Sequence, residues 1–280
     1  MGTEPPKRPA RGRARTALRV LALALLSGLL LASLGAALVV HHFGQGLPRV
    51  ETLRTGYRPP QVTRVLARDG VVLADLFTER RTVVPFEEIP VATRLAFLAA
   101  EDASFYEHEG LDYLGMLRAL VVNLRAGETR QGGSTITQQV VKNVLLDPER
   151  TLSRKIRETL LARELEQTLG KDEIFALYLN HIYLGHGRYG VEEAARHYFG
   201  KKAAALDLAE SALLAGIVAA PERLSPRKSP ERALDRRRHV LAQMLAKGFI
   251  TPPLHEAAAA AKLRIAPTEE TDAGLCPEAV

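Results

Sequence analysis

A chain of 280 residues with 46% hydrophobic and 25% charged residues has the make-up of a globular protein of one large domain or two small ones. Its single cysteine, Cys276, excludes a disulfide framework and a cysteine-built metal site. The net charge is +6, with Lys7, Arg8, Arg11, Arg13, Arg15 and Arg19 gathered before an uncharged run from Val20 to Val40. That run, "VLALALLSGLLLASLGAALVV", matches the roughly 20 residues a helix needs to cross a bilayer. The basic flank is expected to stay in the cytoplasm, which puts everything after His41 outside. A cleaved signal peptide is the competing reading. Its apolar region is only about 7–15 residues long, so an uncleaved anchor is preferred. Residues 1–16 are rich in Arg and Pro and are expected to be disordered.

Beyond the anchor, "VTRVLARDGVVLADLF" places Asp69-Gly70 between two β-branched runs, a hairpin signal. From Pro90 onward the pattern turns helical. Pro90 suits a first helical turn, and Gly185, Gly200 and Gly248 suit helix ends. No internal repeat is visible. "APERLSPRKSPER" reads as a surface connection between helices, "HEAAAAAKLRIA" as a helix, and the last dozen residues as loose. The expected organisation is a basic tail (1–19), a transmembrane anchor (20–40), a membrane-proximal linker with a short hairpin (41–85), a helical domain (86–250), and a C-terminal helix and tail (251–280).

Three segments of the helical domain carry chemistry. In "PVATRLAFLAAEDASF", Val91, Leu95 and Leu98 follow helical spacing, and the next positions on that face are Glu101 and Asp102. An inward carboxylate is costly unless it is paired or used, so the alternatives are a working group and a helix-end salt bridge. In "RQGGSTITQQVVKN", Ser134 is the expected N-cap. Thr135, Gln138, Gln139 and Lys142 form a polar stripe opposite Ile136, Val140 and Val144. Two adjacent amides near a lysine could orient sugar hydroxyls and phosphate, although the stretch alone is also an ordinary amphipathic helix. In "DPERTLSRKIRE", Arg150, Arg154, Lys155 and Arg157 lie close together, with Glu158 one turn beyond Arg154. This reads either as a solvated ion pair or as the fixed cations a pyrophosphate leaving group requires.

Glu101-Asp102, Phe105, His108 and Gly110 spell E-D-x-x-F-x-x-H-x-G. They are followed by "GGSTITQQ", by the R-K-x-x-E pattern of "RKIRE", and by "KDEIFALYLNHIYLG" and "GVEEAARHYFGK". In this order, from roughly Asp69 to Met244, the chain resembles the peptidoglycan glycosyltransferases of glycosyltransferase family 51. These occur as monofunctional transglycosylases and as the N-terminal domain of class A penicillin-binding proteins.

The resemblance implies a mainly α-helical, lysozyme-like glycosyltransferase domain with a small membrane-facing jaw lobe, preceded by one transmembrane helix. It implies polymerisation of lipid II. The acceptor's 4-hydroxyl attacks the anomeric carbon of an undecaprenyl-pyrophosphate-linked donor with inversion. Carried over by motif, Glu101 is the general base and Glu158 the second essential carboxylate. Lys142 and Arg150 hold the pyrophosphate. Asp102, Arg130, Ser134, Thr135, Gln138, Gln139, Arg154 and Lys155 complete the substrate-binding set. No cofactor is required by the sequence, though a divalent cation, Mg or Mn, is compatible with Glu158. Implied partners are lipid II and the growing lipid-linked strand, the membrane, and transpeptidase and wall-synthesis proteins, with no nucleic acid. The implied location is the inner membrane, single-pass, with the catalytic domain on the periplasmic side.

Other features are weaker. "LDYLGMLRALVVNL" holds more Leu, Met and Val than one helix face needs, so it either dips into lipid or is a core helix. His108, His181, His186 and His197 form no H-E-x-x-H pattern, so a histidine metal site is not expected. His108 is expected to pack and hydrogen-bond within its motif, and Tyr198-Phe199 to serve as core. "SPRK" at Ser225–Lys228 fits a transpeptidase S-x-x-K only formally, because flanking prolines prevent the helix that would carry Lys beside Ser. A lytic glycan-cleaving enzyme is disfavoured by the cations, and a non-catalytic scaffold by the two glutamates.

Overall fold

Leucine, alanine and valine dominate the N-terminal run, and the chain there forms one helix, α1 (Arg11–Gly44). This computed structural model describes residues 11–55, 63–69, 72–76, 79–127, 132–147, 149 and 151–267. Arg130, Arg150 and Cys276 therefore lie outside the described residues, as do residues 1–10. Residues 11–16, expected to be disordered, are instead the first turns of α1. The part from Arg19 to Gly44 is long and apolar enough to cross a membrane. Its leucines face outward, Leu25 and Leu30 among them. The chain divides into two units, Met1–Leu47 and Pro48–Val280.

The second unit starts with a short helix, α2 (Glu51–Thr55), followed by an antiparallel hairpin. Its strands are β1 (Thr63–Leu66) and β2 (Val72–Leu76), as the β-branched runs require; Gly70 is not among the described residues. A two-residue strand, β3 (Arg80–Arg81), then precedes a helical array: α3 (Val91–Glu101), α4 (Tyr113–Ala126), α5 (Ile136–Val144), α6 (Leu152–Thr168) and α7 (Lys171–His181). After α7 the chain forms β4 (Arg188–Tyr189), which pairs parallel with β3. The array ends with α8 (Val191–Phe199), α9 (Leu208–Ile217), α10 (Pro230–Ala246) and α11 (Pro252–Ala260). The protein is mainly α, as its periodicity and motifs imply.

The core is built on α9. "LAESALLAGI" has one charge, and every residue from Ser211 to Ile217 is buried where α9 meets α3 and α10. Phe97, Phe105, Phe175 and Tyr178 fill the space nearer α7. Phe105 and Phe175 have ring centroids 5.6 Å apart, and Phe97 meets Tyr178 edge-on at 6.2 Å. Each fully buried phenylalanine contributes roughly 1.5–3 kcal/mol through removal from water. Tyr198 is fully buried as expected, while Phe199 is only partly covered.

Several local expectations are corrected. Val91 is exposed, and α3 buries Thr93, Ala96, Phe97, Leu98 and Ala99. The inward face therefore runs from Phe97 to Glu101 and from Leu98 to Asp102, one turn apart. The N-cap of α5 is Thr135 rather than Ser134. Gly185 lies in the turn between α7 and β4, not at a helix end, whereas Gly200 does close α8. The "APERLSPRKSPER" connection is not wholly at the surface, because Ser225 is fully buried and bonds His186 Nε2 at 2.8 Å. The C-terminal helix ends at Ala260. Beyond it the chain is held extended, with Ala266 N–H donating to Tyr198 O at 2.8 Å. Finally, α4 is not a core helix. Of its side chains only Ala119 is buried, while Leu114 and Leu124 are 75% and 73% exposed.

Candidate active site

The site begins where α3 ends. Asp102 leaves the helical conformation (φ −159°), so its side chain turns away from α3. Its carboxylate accepts from Ile136 N–H, the first residue of α5, at 3.0 Å, and from His108 Nε2 at 3.1 Å. The segment between Asp102 and Asp112 thus closes on itself. It inserts Phe105 into the core and returns at Gly110, whose φ is +81°. A Cβ there would lie 2.9 Å from Ala162 O, so only glycine lets this segment rest on α6. Lys171, at the start of α7, fastens the same segment by donating to His108 O at 2.6 Å while pairing with Glu166 at 2.8 Å. Its ammonium lies 4.4 Å from the Phe105 ring centroid. Tyr106 donates to Asp172 at 2.7 Å. The carboxylates of "AAEDASFYEHEGLD" therefore do unlike work. Asp102 is a buried clamp between α3 and α5, and Glu101 is left to face another way.

Glu101 is partly exposed and accepts from Gln139 Nε2 at 2.8 Å. Loss of water around the carboxylate raises its pKa above the ordinary value, and the negative charge of Asp102 acts in the same sense. The Gln139 hydrogen bond and the positive charges of Arg236 and Lys142 oppose this without cancelling it. A carboxylate so placed has its basicity increased by its surroundings.

The polar stripe expected on α5 splits in two. Thr135 Oγ1 accepts from Gln138 N–H and donates to Gly110 O at 2.7 Å, and Gln138 Oε1 accepts from Thr135 N–H at 3.1 Å. This reciprocal cap buries both side chains, so they form the wall behind the site. Ser134, Gln139 and Lys142 remain at or near the surface. Ser134 Oγ accepts from Lys155 Nζ at 3.0 Å, and Gln139 reaches Glu101. The segment Ser134–Lys142 therefore touches the base candidate and Lys155 of α6.

On α6, Thr151 caps the first turn by accepting from Arg154 N–H at 3.1 Å. Glu158 is 2% exposed. One carboxylate oxygen accepts from Arg154 Nη1 at 2.9 Å and the other from Lys155 Nζ. The helical spacing of these residues puts all three on one face of α6. Burial of Glu158 is tolerated because both its oxygens meet cations. Among the described residues no three His, Cys, Asp or Glu side chains are grouped to hold a metal. Arg157 points to solvent.

Sequence reasoning missed two contributors. Lys171 reads as a helix start with partial substrate contact left open; it does open α7, and it also fastens the Asp102–Asp112 segment. Arg236 sits in "DRRRHVL", to which no site role is given from the sequence, and its positive charge opposes the rise in the Glu101 pKa.

The sequence pattern of the Transglycosylase family matches residues 69–245. The chain is 47% identical over 214 residues to penicillin-binding protein 1A of Aquifex aeolicus, covering 76% of this chain and 29% of that protein. It is 47% identical over 205 residues to penicillin-binding protein 1A of Escherichia coli, covering 73% of this chain and 24% of that protein. It thus spans under a third of the length of these relatives. A crystal structure of penicillin-binding protein 1A from Haemophilus influenzae aligns with a TM-score of 0.46 at 25% identity, over 77% of this chain and 22% of that one. The family pattern encloses all the site residues built above, from Glu101 to Arg236, and the chain belongs to the Transglycosylase family.

Proposed function

We propose that this chain is a peptidoglycan glycosyltransferase that polymerises lipid II into glycan strands during bacterial cell-wall synthesis. One observation carries the reading. A poorly solvated glutamate, Glu101, lies within the electrostatic reach of Lys142, and the same α5 segment meets the Arg154–Lys155–Glu158 cluster through Ser134. In the reaction, the acceptor's 4-hydroxyl oxygen attacks the donor's anomeric carbon as Glu101 takes the hydroxyl proton. The bond from that carbon to the pyrophosphate oxygen breaks, and the lipid pyrophosphate leaves with the electron pair. Lys142, Arg154 and Lys155, with Arg130 and Arg150 from the motifs, meet the developing negative charge. Ser134 and Gln139 contact the donor, and Thr135, Gln138 and Asp102 hold the wall against which it lies. Glu158 acts by fixing the two cations beside it. Inversion follows from a single displacement with no enzyme nucleophile.

A lipid-linked substrate also fits the exposed apolar surfaces. The α1 helix would anchor the chain in the inner membrane with the catalytic unit on the periplasmic side, and the bare leucines of α4 would enter the lipid as the jaw lobe. Transpeptidases and other wall-synthesis proteins are the expected protein partners. The test is incubation of the purified chain with labelled lipid II and separation of products by length. A ladder of polymers supports the reading. Unreacted lipid II with a folded protein, or shortening of preformed glycan instead, would overturn it.

A further inference from the structure

A cavity of about 580 Å³ opens where the end of α8, the start of α9, α10 and the segment after α11 come together. It shares no residue with the candidate active site. Four cations line it, Lys201, Arg237, Lys262 and Arg264, against two carboxylates, Asp207 and Glu210. Phe199 and Leu263 give it an apolar part.

The carboxylates are already engaged. Asp207 Oδ1 accepts from Glu210 N–H at 2.8 Å, and Glu210 Oε2 accepts from Asp207 N–H at 2.9 Å and from Lys201 Nζ at 2.6 Å. Together they close the first turn of α9. Arg237 has no such arrangement. It is 4% exposed, a depth at which arginine is almost never found unless paired. Yet among the described residues its guanidinium meets no carboxylate. It donates from Nη2 to Ala259 O at 3.1 Å, and its Nε is buried without a partner. The bond to Ala259 satisfies a carbonyl in the last turn of α11, but that uses one of five donors and leaves a buried one unmet. Burial and the charge of Arg238 hold the Arg237 pKa below its ordinary value, and the charge of Asp207 acts the other way. Lys262 and Arg264 are exposed, and among the described residues neither meets a carboxylate.

We propose that this cavity binds a small organic phosphate monoester, its phosphate held by Arg237, Lys262 and Arg264 and its organic part laid against Phe199 and Leu263. Charge selects the ligand. The lining cations exceed the carboxylates by two, and a phosphate monoester carries about −1.5 to −2 at neutral pH. A carboxylate would leave positive charge uncompensated. The guanidinium fork of Arg237 also matches phosphate oxygens, and a bond to an ionised acceptor is the strong kind. The volume exceeds what phosphate alone requires and falls in the range of small-molecule sites. The cations come from two sides. Arg237 stands on α10, whereas Lys262 and Arg264 belong to the extended segment after α11. A bound phosphate would therefore tie that segment to the helical body. The proposal is independent of the glycosyltransferase reading.

The experiment uses the full chain in detergent, labelled with nitrogen-15, with phenyl phosphate as the probe. The Arg237 Nε–H signal is identified by its absence in Arg237→Gln. Millimolar phenyl phosphate should shift that signal saturably and raise the melting temperature. Inorganic phosphate, which lacks the ring, and benzoate, which lacks the second charge, should each bind about tenfold more weakly or worse. Arg237→Gln should abolish the rise in melting temperature. Lys262→Ala with Arg264→Ala changes only exposed side chains, so it keeps the fold, and it should weaken phenyl phosphate binding by about tenfold or more. Absence of a saturable shift would overturn the proposal, as would unchanged affinity in the Lys262→Ala, Arg264→Ala variant. Benzoate binding as tightly as phenyl phosphate would overturn the phosphate assignment, and inorganic phosphate doing so would overturn the organic part. Loss of the melting shift in Lys142→Ala would place the phosphate at the candidate active site and overturn the separate site.

Discussion

Gln139 Nε2 donates to Glu101 Oε2 at 2.8 Å, so the candidate base at the end of α3 is oriented by a neutral donor on α5. The same helix begins at a donor to Asp102 and is preceded by an acceptor for Lys155. Small displacements of α5 would therefore be felt by the base and by the cations together.

Glu101→Gln should lower polymerisation by about 10²–10⁴-fold, the usual cost of removing a positioned base. It should not destabilise the fold. A raised carboxylate pKa means that the folded state holds the proton more tightly than the unfolded one. The cost of ionisation is absent below the unfolded pKa and grows as pH rises through the folded pKa. At neutral pH glutamine removes that cost and can still accept from Gln139. Lipid II turnover and thermal melting check the two parts, and a clearly lowered melting temperature would contradict the second.

Gln139→Leu removes the hydrogen bond that favours the carboxylate. Such a bond to a charged group contributes about 1.5–3 kcal/mol, or roughly one to two pH units. The acidic limb of the rate–pH profile should therefore move upward, with activity recovering at higher pH. A uniform loss of rate at every pH would show that Gln139 acts on the substrate instead.

Arg154→Ala with Lys155→Ala strands Glu158 in its buried position. Removing the partners of a buried charge costs about 3 kcal/mol or more. Adding Glu158→Gln to that double variant should recover a large part of the loss. Chemical denaturation of the parent, the double variant, Glu158→Gln alone and the combined variant measures this, and full additivity of the separate effects would mean that the charges are not coupled.

Burial, aided by the nearby charge of Arg81, pushes the pKa of His181 down from 6.5 to about 4 despite its bond to Leu177 O. The folded state then binds a proton less readily than the unfolded state. The stability linked to His181 is full above about pH 6.5 and is lost as pH falls toward 4. Over that window the loss amounts to at most roughly 3 kcal/mol. His181→Leu, compared with the parent chain at pH 7, 5.5 and 4 in denaturant titrations, should show a flatter decline. Parallel declines would place the acid sensitivity elsewhere.

Local signals were legible in the sequence because their physics is local. The uncharged run from Val20 to Val40 forms a helix, Asp69 between β-branched runs makes a hairpin, and Arg154, Lys155 and Glu158 meet because helical spacing puts them on one face. The ordered motifs likewise located Glu101 and its neighbours. What the tertiary structure decided was the direction of each side chain across helices far apart in sequence. Asp102 became a clamp because Ile136 N–H lies opposite it, and Gln138 turned inward because Thr135, not Ser134, took the cap. Nothing near Val91 in sequence shows that it is exposed while Leu98 is buried, because burial depends on where α9 and α10 lie. Arg236 could not be placed from its basic run, since the close approach of α9 and α10 at Gly216 decides where it sits. Periodicity determines which residues share a face, but packing alone determines what that face meets, and the electrostatics of Glu101 are set by what it meets.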